Sequence, residues 1–151
     1  MMRWVEPGDY TRKKVDNAGE YLAKNRKKKG QDPEEIVNIF NNWRSCHAYP
    51  MHILTKFVKS VAKGIDERAI CFQRLKRVTS ILGKLERIPS MKLSRMQDIA
   101  GCRVIMPHLK QARKMREEFI SRSKRHKRVK GREMNYINNP KSDGYRSIHL
   151  I

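Results

Sequence analysis

The spacing of apolar residues predicts helices in the first part of the chain. Within 11–29, apolar residues recur at helical intervals: Val15, Ala18 and Leu22. Gly30 follows as a stop signal, and Asp32 with Pro33 forms a typical helix start. A third helix is expected after a boundary near Pro50. The second helix is expected to have an apolar stripe formed by Ile36, Val37, Phe40 and Trp43. The stripe of the third helix is formed by Met51, Leu54, Phe57, Val58 and Val61.

The rest of the chain alternates between predicted strands and predicted helices. Short apolar runs predict strands over 69–72 and 101–106, and the run Val104-Ile105-Met106 suits a buried strand. Helical spacing predicts helices over 77–86 and about 108–123. The second of these is expected to turn Leu109, Ala112, Met115 and Phe119 inward. This order indicates an α/β or α+β layer structure.

Charge adds a constraint on the partners of the protein. The 151 residues include 35 Lys and Arg against 15 Asp and Glu, which gives a net charge of +20. Such an excess opposes compaction unless a polyanion offsets it, so nucleic acid, a nucleotide polyphosphate or an anionic membrane surface are the candidate partners. No run of about 18 apolar residues suits a membrane span, and the N-terminus has no apolar core for a signal peptide. We therefore expect a cytoplasmic protein.

The densest basic run is 122–132, in which seven of the eleven residues are Lys or Arg. A solvated edge strand protected by lysines and an electrostatic footprint for nucleic acid explain it equally well. The candidate polyanion-binding residues are Arg122, Lys124, Arg125, Lys127 and Arg128. The three cysteines are widely spaced, so neither zinc nor a disulfide framework is expected, and Cys71 and Cys102 are interpreted as buried small apolar residues.

Cations and one carboxylate gather around the predicted helix over 77–86 and the strand after it. They are Arg74, Lys76, Ser80, Lys84, Asp98 and Arg103. Ser80 and Lys84 are four residues apart and share a helix face. Cations neutralise phosphate oxygens and a carboxylate holds a hard metal, so the pattern indicates a site for a Mg²⁺-bound polyphosphate. A basic amphipathic helix with solvated charges is the alternative of equal weight.

The final stretch, 136–151, contains Asn-Pro and Asp-Gly dipeptides that mark a loop. Gly144 permits close approach of the backbone to a ligand. Tyr145 offers a flat face for base stacking, which is worth roughly 1–3 kcal/mol per base. Lys141 and Arg146 flank it. The alternative is a surface hairpin with an ordinary strand tyrosine.

Three ordered motifs resemble the pyrophosphokinase (synthetase) domain of the RelA/SpoT alarmone synthetases. They are Arg-x-Lys-x-x-x-Ser-Ile-x-x-Lys at 74–84, Gln-Asp-Ile-Ala-Gly-x-Arg-Val at 97–104, and Tyr-Ile-x-x-Pro-Lys-x-x-Gly-Tyr-Arg-Ser-Ile-His at 136–149. The resemblance implies an α+β fold in which a mixed β-sheet is flanked by helices. It also implies a helical region over 1–66 and a synthetase core over 67–151.

The resemblance implies transfer of the β,γ-pyrophosphoryl group of ATP to a ribose 3′-hydroxyl, with Mg²⁺ as cofactor. Arg74 and Arg103 would enclose adenine, as guanidinium planes can. The phosphates and the metal would be held by Lys76, Ser80, Lys84 and Asp98. Tyr145 would stack the acceptor base, and the other implied acceptor contacts are Tyr136, Lys141, Asp143, Gly144 and His149. The implied catalytic residues are Asp98, Lys84 and His149.

The acceptor implied first is a guanine nucleotide, GDP or GTP. Segments at 42–50, 73–77 and 92–96 look more like the toxic small alarmone synthetases, a branch that includes toxin–antitoxin and phage-defence members. Some members of that branch transfer pyrophosphate to the 3′ end of tRNA, so tRNA is the alternative acceptor and an antitoxin is a possible partner. The alternative of another class is a non-catalytic basic module that binds RNA or nucleotide.

Two departures from the family pattern bear on these expectations. Asp143 stands where many members carry Asn, which affects the contacts expected for guanine. The Glu-x-Gln motif of the family is absent, so the sequence resembles a synthetase without its C-terminal part, and the 151-residue polypeptide is expected to be inactive. No His-Asp pair of the hydrolase domain is present, so alarmone hydrolysis is not expected.

Overall fold

The computed structural model of the protein describes residues 4–24, 30–123 and 133–151. The chain divides into two compact units, one formed by Met1–Phe57 with Cys71–Arg103 and the other by Val58–Ile70 with Val104–Ile151. The described elements are, in chain order, α1 (Arg12–Lys24), α2 (Pro33–Ser45), α3 (Ala48–Ile65), β1 (Ile70–Leu75), α4 (Val78–Arg87), a 3₁₀ turn (Leu93–Arg95), β2 (Ala100–Ile105), α5 (Leu109–Arg122), β3 (Glu133–Asn135) and β4 (Ile148–Leu150).

The core of the first unit is formed by α1, α2, α4 and the segment that leads into β2. Its buried apolar side chains are Val15, Ala18, Ala23, Ile36, Ile39, Phe40, Ile81, Leu85, Leu93, Met96 and Ile99. The stripe predicted for α2 is confirmed at Ile36 and Phe40 but is wrong at Val37, which is 42% exposed. Ile39 is buried instead of Val37, because residues three and four positions apart, such as Ile36, Ile39 and Phe40, share one helix face.

The start of α2 follows from its first residues, as predicted. The Asp32 side chain accepts a hydrogen bond from the Glu34 N–H at 3.0 Å, and Pro33 occupies the first helical position. The start of α3 differs from the prediction, because the helix begins at Ala48 and includes Pro50 in its first turn. A first-turn N–H has no partner within the helix, so proline is tolerated there.

Two small sheets complete the described structure. β1 and β2 form one, and β3 and β4 pair antiparallel in the other, with Met134 opposite His149. Helices together with these sheets confirm the predicted α+β class. The expectation of a buried strand at 101–106 is wrong, since β2 alternates between half-buried and exposed residues and Ile105 is 49% exposed. Alternating exposure is what a pleated strand with one covered face produces, and Cys71 and Cys102 are likewise half-buried rather than buried.

The second unit has a smaller set of buried apolar side chains: Val58, Val61, Ala62, Ala69 and Met115. Met115 is buried on α5 as predicted, but Leu109 at the helix start is exposed, which corrects the expectation for that residue. Arg116 and Glu133 form a two-pronged ion pair at 2.7 and 2.6 Å, which ties α5 to β3. Among the described residues, no helix is long and apolar enough to cross a membrane.

Gly19 allows α1 to pack closely against the 3₁₀ turn. A Cβ at this buried position would lie 2.8 Å from Leu93 Cβ, which can move only with its backbone. We expect Gly19→Ala to lower the free energy of unfolding by about 1–2 kcal/mol, because overpacking outweighs the ~1 kcal/mol helix preference of alanine. Gly64→Ala is the control, since an added Cβ there meets no atom within 4 Å. It should raise stability by roughly 0.5–1 kcal/mol. Urea unfolding measures the free energy of unfolding of both variants. An increase for Gly19→Ala as well as for Gly64→Ala would contradict the close packing of Gly19 against Leu93.

Candidate active site

The end of β1 and the start of β2 bring Lys76 and Asp98 together. The Lys76 N–H donates a hydrogen bond to the Ile99 carbonyl at 2.7 Å, which extends the backbone pairing one residue beyond each strand. Ile99 is 1% exposed and fixes this segment in the core of the first unit. Lys76 Nζ then lies 3.0 Å from Asp98 Oδ2.

Helix α4 supplies the second cation. Ile81 and Leu85 are buried on one side of α4, and this packing sets the rotation of the helix. Lys84 Nζ lies 2.7 Å from Asp98 Oδ1, so each carboxylate oxygen accepts a hydrogen bond from one lysine. Ser80 lies one turn before Lys84 on the same face and is half-buried. Lys76, Lys84 and Asp98 are called the Asp98 cluster below.

The Asp98 cluster keeps its carboxylate ionised. Partial burial raises the pKa of Asp98, but hydrogen bonds from Lys84 and Lys76, together with their charges, outweigh it and hold the pKa below its ordinary value. Two ammonium groups and one carboxylate leave an excess of one positive charge. Such a cluster can bind phosphate oxygens, because both ammonium groups can transfer their hydrogen bonds from the carboxylate to a phosphate.

Arg74 and Arg103 lie on the two paired strands, β1 and β2, and both are exposed. Open space lies above Gly101 on β2, where an added Cβ would meet no atom within 4 Å. The guanidinium groups are therefore accessible to a planar ligand, against which guanidinium can stack.

The carboxylate chemistry of the Asp98 cluster fits one mode of Mg²⁺ binding. Within the described ranges, no three His, Cys, Asp or Glu side chains gather at one point to hold a metal ion. Mg²⁺ needs only one or two protein carboxylates when substrate phosphates and waters fill its other positions. Asp98 therefore suits an ion held jointly with a polyphosphate.

A second group of polar side chains lies in the second unit. The rings of Tyr136, Tyr145 and His149 have centroids 5.3–5.9 Å apart, in edge-to-face arrangements. Lys141 Nζ lies 4.7 Å from the ring centroid of Tyr136 and 5.3 Å from that of Tyr145. Tyr145 Oη and His149 Nε2 are 3.0 Å apart. Tyr136, Lys141, Tyr145 and His149 are called the tyrosine cluster below.

A tight loop before β4 presents the tyrosine cluster. Gly144 has a φ of 80°, and its N–H donates a hydrogen bond to the Lys141 carbonyl at 2.9 Å. This left-handed conformation favours glycine. The Asp143 carboxylate accepts a hydrogen bond from the Tyr145 N–H at 3.0 Å, so Asp143 has a role within its own loop. An asparagine at position 143 could accept the same hydrogen bond through its side-chain oxygen, so this loop contact does not distinguish Asp from Asn.

Arg122 is the predicted polyanion-binding residue that lies within the described ranges. Arg122 is exposed at the end of α5 and its Nε lies 2.9 Å from Glu118 Oε2. The rest of the predicted polyanion-binding set lies outside the described residues: Lys124, Arg125, Lys127 and Arg128. Arg44, on α2, contacts the Asp98 cluster through the backbone: its Nε donates a hydrogen bond to the Lys76 carbonyl at 2.8 Å. A bond to a backbone carbonyl leaves no signal in the sequence, because every residue carries one.

The structure also shows an apolar cleft that the sequence did not predict. Its volume is about 200 Å³, and it lies within the first unit. It is lined by His47, Pro50, Met51, Leu54, Ala100 and Gly101. The strand residues of this lining follow Asp98 closely in the chain, so the cleft adjoins the segment that carries the Asp98 carboxylate.

The sequence profile of a family described as a region found in RelA / SpoT proteins matches residues 73–151, which is more than half of the chain. The chain belongs to the RelA/SpoT family, and the predicted membership is confirmed. This is a pyrophosphotransferase family of the (p)ppGpp-synthetase type, whose members generally use Mg²⁺, ATP and a nucleotide acceptor. No curated protein matches the sequence. Both the Asp98 cluster and the tyrosine cluster lie inside the matched range.

Proposed function

We propose that this synthetase domain, when joined to a segment that carries the Glu-x-Gln motif of the family, transfers the β,γ-pyrophosphoryl group of ATP to the 3′-hydroxyl of a guanine nucleotide, GDP or GTP. The transfer assays described below use the protein with that segment, because the 151 residues alone are expected to be inactive. The observation that carries this proposal is the Asp98 carboxylate with one lysine on each oxygen, in the segment that the family profile matches. The cluster offers positive charge to a triphosphate and one carboxylate to a metal ion that the phosphates share.

On the ATP side, Lys76, Ser80 and Lys84 hold the phosphates, and Arg74 with Arg103 encloses adenine. The lysine ammonium groups move from the carboxylate to phosphate oxygens, which leaves Asp98 to hold Mg²⁺. When bound, Mg²⁺ supplies charge neutralisation at the transferred phosphates. The 3′-oxygen forms a bond to the β-phosphorus, the bond from that phosphorus to the α,β-bridging oxygen breaks, and AMP leaves.

On the acceptor side, Tyr145 stacks the base and the Lys141 ammonium neutralises the acceptor phosphates. Tyr136 lines the same pocket, beside the loop at Asp143 and Gly144. His149 is the candidate for accepting the proton of the 3′-hydroxyl, because a neutral imidazole nitrogen can act as a general base. This role is supported by its contact with Tyr145, which orients the ring.

Tyr145→Ala should weaken use of the acceptor by about 10–100-fold, because a stacked base contributes roughly 1–3 kcal/mol. Affinity for the non-hydrolysable ATP analogue AMPCPP should stay within about twofold. Tyr145→Phe is the matched control for stacking: it keeps the ring, so the KM of the acceptor should stay near that of wild type, whereas loss of the hydroxyl that contacts His149 should lower only kcat. Steady-state kinetics with the acceptor varied, together with AMPCPP titration, measures these effects. An equal loss of AMPCPP affinity would place Tyr145 on the ATP side.

A second candidate acceptor is the 3′ end of tRNA, and the net charge of +20 favours it. A protein with this activity would belong with the toxic small alarmone synthetases, and an antitoxin would be its partner. Incubation with [γ-³²P]ATP and either GDP, GTP or deacylated tRNA separates the candidates. Label on GDP or GTP supports the first proposal, and label on tRNA supports the second. Tight RNA binding with label on no acceptor would support a non-catalytic binding module instead.

A further inference from the structure

We propose that Arg44 is a positioning residue for the ATP side of the site and acts through the backbone of Lys76. The inference rests on the proposed role of Lys76 as a phosphate ligand. Arg44 lies in the last turn of α2, outside the range that the family profile matches.

Both backbone polar groups of Lys76 are held from within the first unit. The carbonyl accepts a hydrogen bond from Arg44 Nε at 2.8 Å, and the N–H donates one to the Ile99 carbonyl at 2.7 Å. The bond from Arg44 is half-buried and its donor is charged, and both properties strengthen a hydrogen bond. The peptide that carries Lys76 is thus fixed by α2 on one side and by the segment leading into β2 on the other.

The start of α4 adds no side-chain hydrogen bond at the junction with β1. Arg77 is the N-cap residue of α4, and its side chain makes no capping hydrogen bond. Lys76 stands immediately before this cap, and Lys84 follows on the same helix. The Arg44 bond therefore steadies the peptide from which the Lys76 side chain is positioned.

The helix that carries Arg44 is itself rigidly held. Phe40 lies one turn earlier on α2 and is buried in the core of the first unit, and Trp43 packs against the same core. A donor on such a helix can fix its acceptor, because little freedom remains in its own backbone. Fixing the acceptor matters here, since a lysine side chain has large rotamer entropy and a displacement of about 1 Å can cost 10²-fold in rate.

Direct contact between Arg44 and a phosphate is the rival explanation. In the described part of the chain, its two terminal nitrogens make no hydrogen bond, so they could reach a ligand. A double-mutant cycle separates the two roles, because a residue that acts only through Lys76 has no effect once the Lys76 side chain is removed.

The test is the affinity for AMPCPP in the presence of Mg²⁺, measured for wild type, Arg44→Met, Lys76→Ala and the double variant. We expect Arg44→Met to weaken binding about 10-fold and Lys76→Ala about 10–30-fold, from the typical cost of losing a charged hydrogen bond. The double variant should bind within about twofold of Lys76→Ala. Thermal unfolding confirms that each variant is folded, and Arg44→Gln takes the place of Arg44→Met if the latter does not fold.

Arg95→Met is the matched control. Arg95 also donates to a backbone carbonyl, that of Ser90 at 3.2 Å, but this exposed bond does not hold Lys76. The affinity of Arg95→Met for AMPCPP should stay within about twofold of that of wild type. Three results would each overturn the positioning role of Arg44. They are multiplication of the two single losses of AMPCPP affinity in the double variant, unchanged affinity in Arg44→Met, and a loss of affinity in Arg95→Met equal to that in Arg44→Met. Wild-type affinity in Lys76→Ala would instead overturn the proposed function of Lys76.

Discussion

Asp98→Asn is expected to lower the rate of pyrophosphate transfer by about 10³-fold while the protein stays folded. The neutral amide is a poor ligand for Mg²⁺, and charge stabilisation by a metal ion is worth several kcal/mol in such reactions. The change also leaves the ammonium groups of Lys76 and Lys84 facing each other without the carboxylate between them. Transfer from [γ-³²P]ATP at saturating Mg²⁺ measures the effect.

The pH dependence of this variant follows from the pKa of Asp98. Because that pKa is depressed in the folded protein, the carboxylate is ionised at every pH above about 5, and the ratio of wild-type to variant rate should be constant there. The stabilisation from the two lysines is complete above the unfolded-state pKa of about 3.9 and is lost as pH falls through the lower folded-state pKa. Wild type should therefore lose more stability on acidification than Asp98→Asn.

Asp9→Asn is the matched control for the loss of one carboxylate. Asp9 is exposed in the N-terminal segment and belongs to neither cluster. Its transfer rate should match that of wild type. A rate close to wild type in Asp98→Asn would show that this carboxylate does not hold the metal.

Lys84→Met is expected to lower kcat/KM for ATP by about 10²-fold. It removes the shorter of the two lysine contacts to Asp98, at 2.7 Å, and with it a charged phosphate ligand. Kinetics with ATP varied should show the loss, with little change in the KM of the acceptor. Lys59→Met, at an exposed position on α3, controls for the loss of one positive charge and should have kcat/KM within about twofold of wild type. A change in the KM of the acceptor without a change in kcat/KM for ATP would contradict the assignment of Lys84 to the ATP phosphates.

Helix positions could be predicted well because their signals are local. Asp32 and Pro33 determine the start of α2 through a side-chain bond and a fixed φ, and both act within one turn. Burial of the strands could not be predicted in the same way. An apolar run such as Val104–Met106 does not show whether a second layer covers both faces of a sheet, and in β2 the Ile105 side chain is exposed.

The candidate site was predictable where its residues stand in ordered motifs. Asp98 and Lys84 could be assigned to one site because the same segment carries both. Their 2.7 Å contact depends on how α4 packs, through Ile81 and Leu85, and spacing alone left a solvated helix face equally open. The contact of Arg44 with the Lys76 carbonyl was not predictable, since its acceptor is a backbone group.

The most direct test of the account is the fate of the adenylate half of ATP. Transfer of a pyrophosphoryl group releases AMP, whereas transfer of a single phosphoryl group releases ADP. With [α-³²P]ATP, Mg²⁺ and each acceptor in turn, we predict labelled AMP in a one-to-one ratio with pyrophosphorylated acceptor, and loss of both products in Asp98→Asn. Labelled ADP as the main product, or AMP release that Asp98→Asn leaves unchanged, would contradict a pyrophosphotransferase built around Asp98.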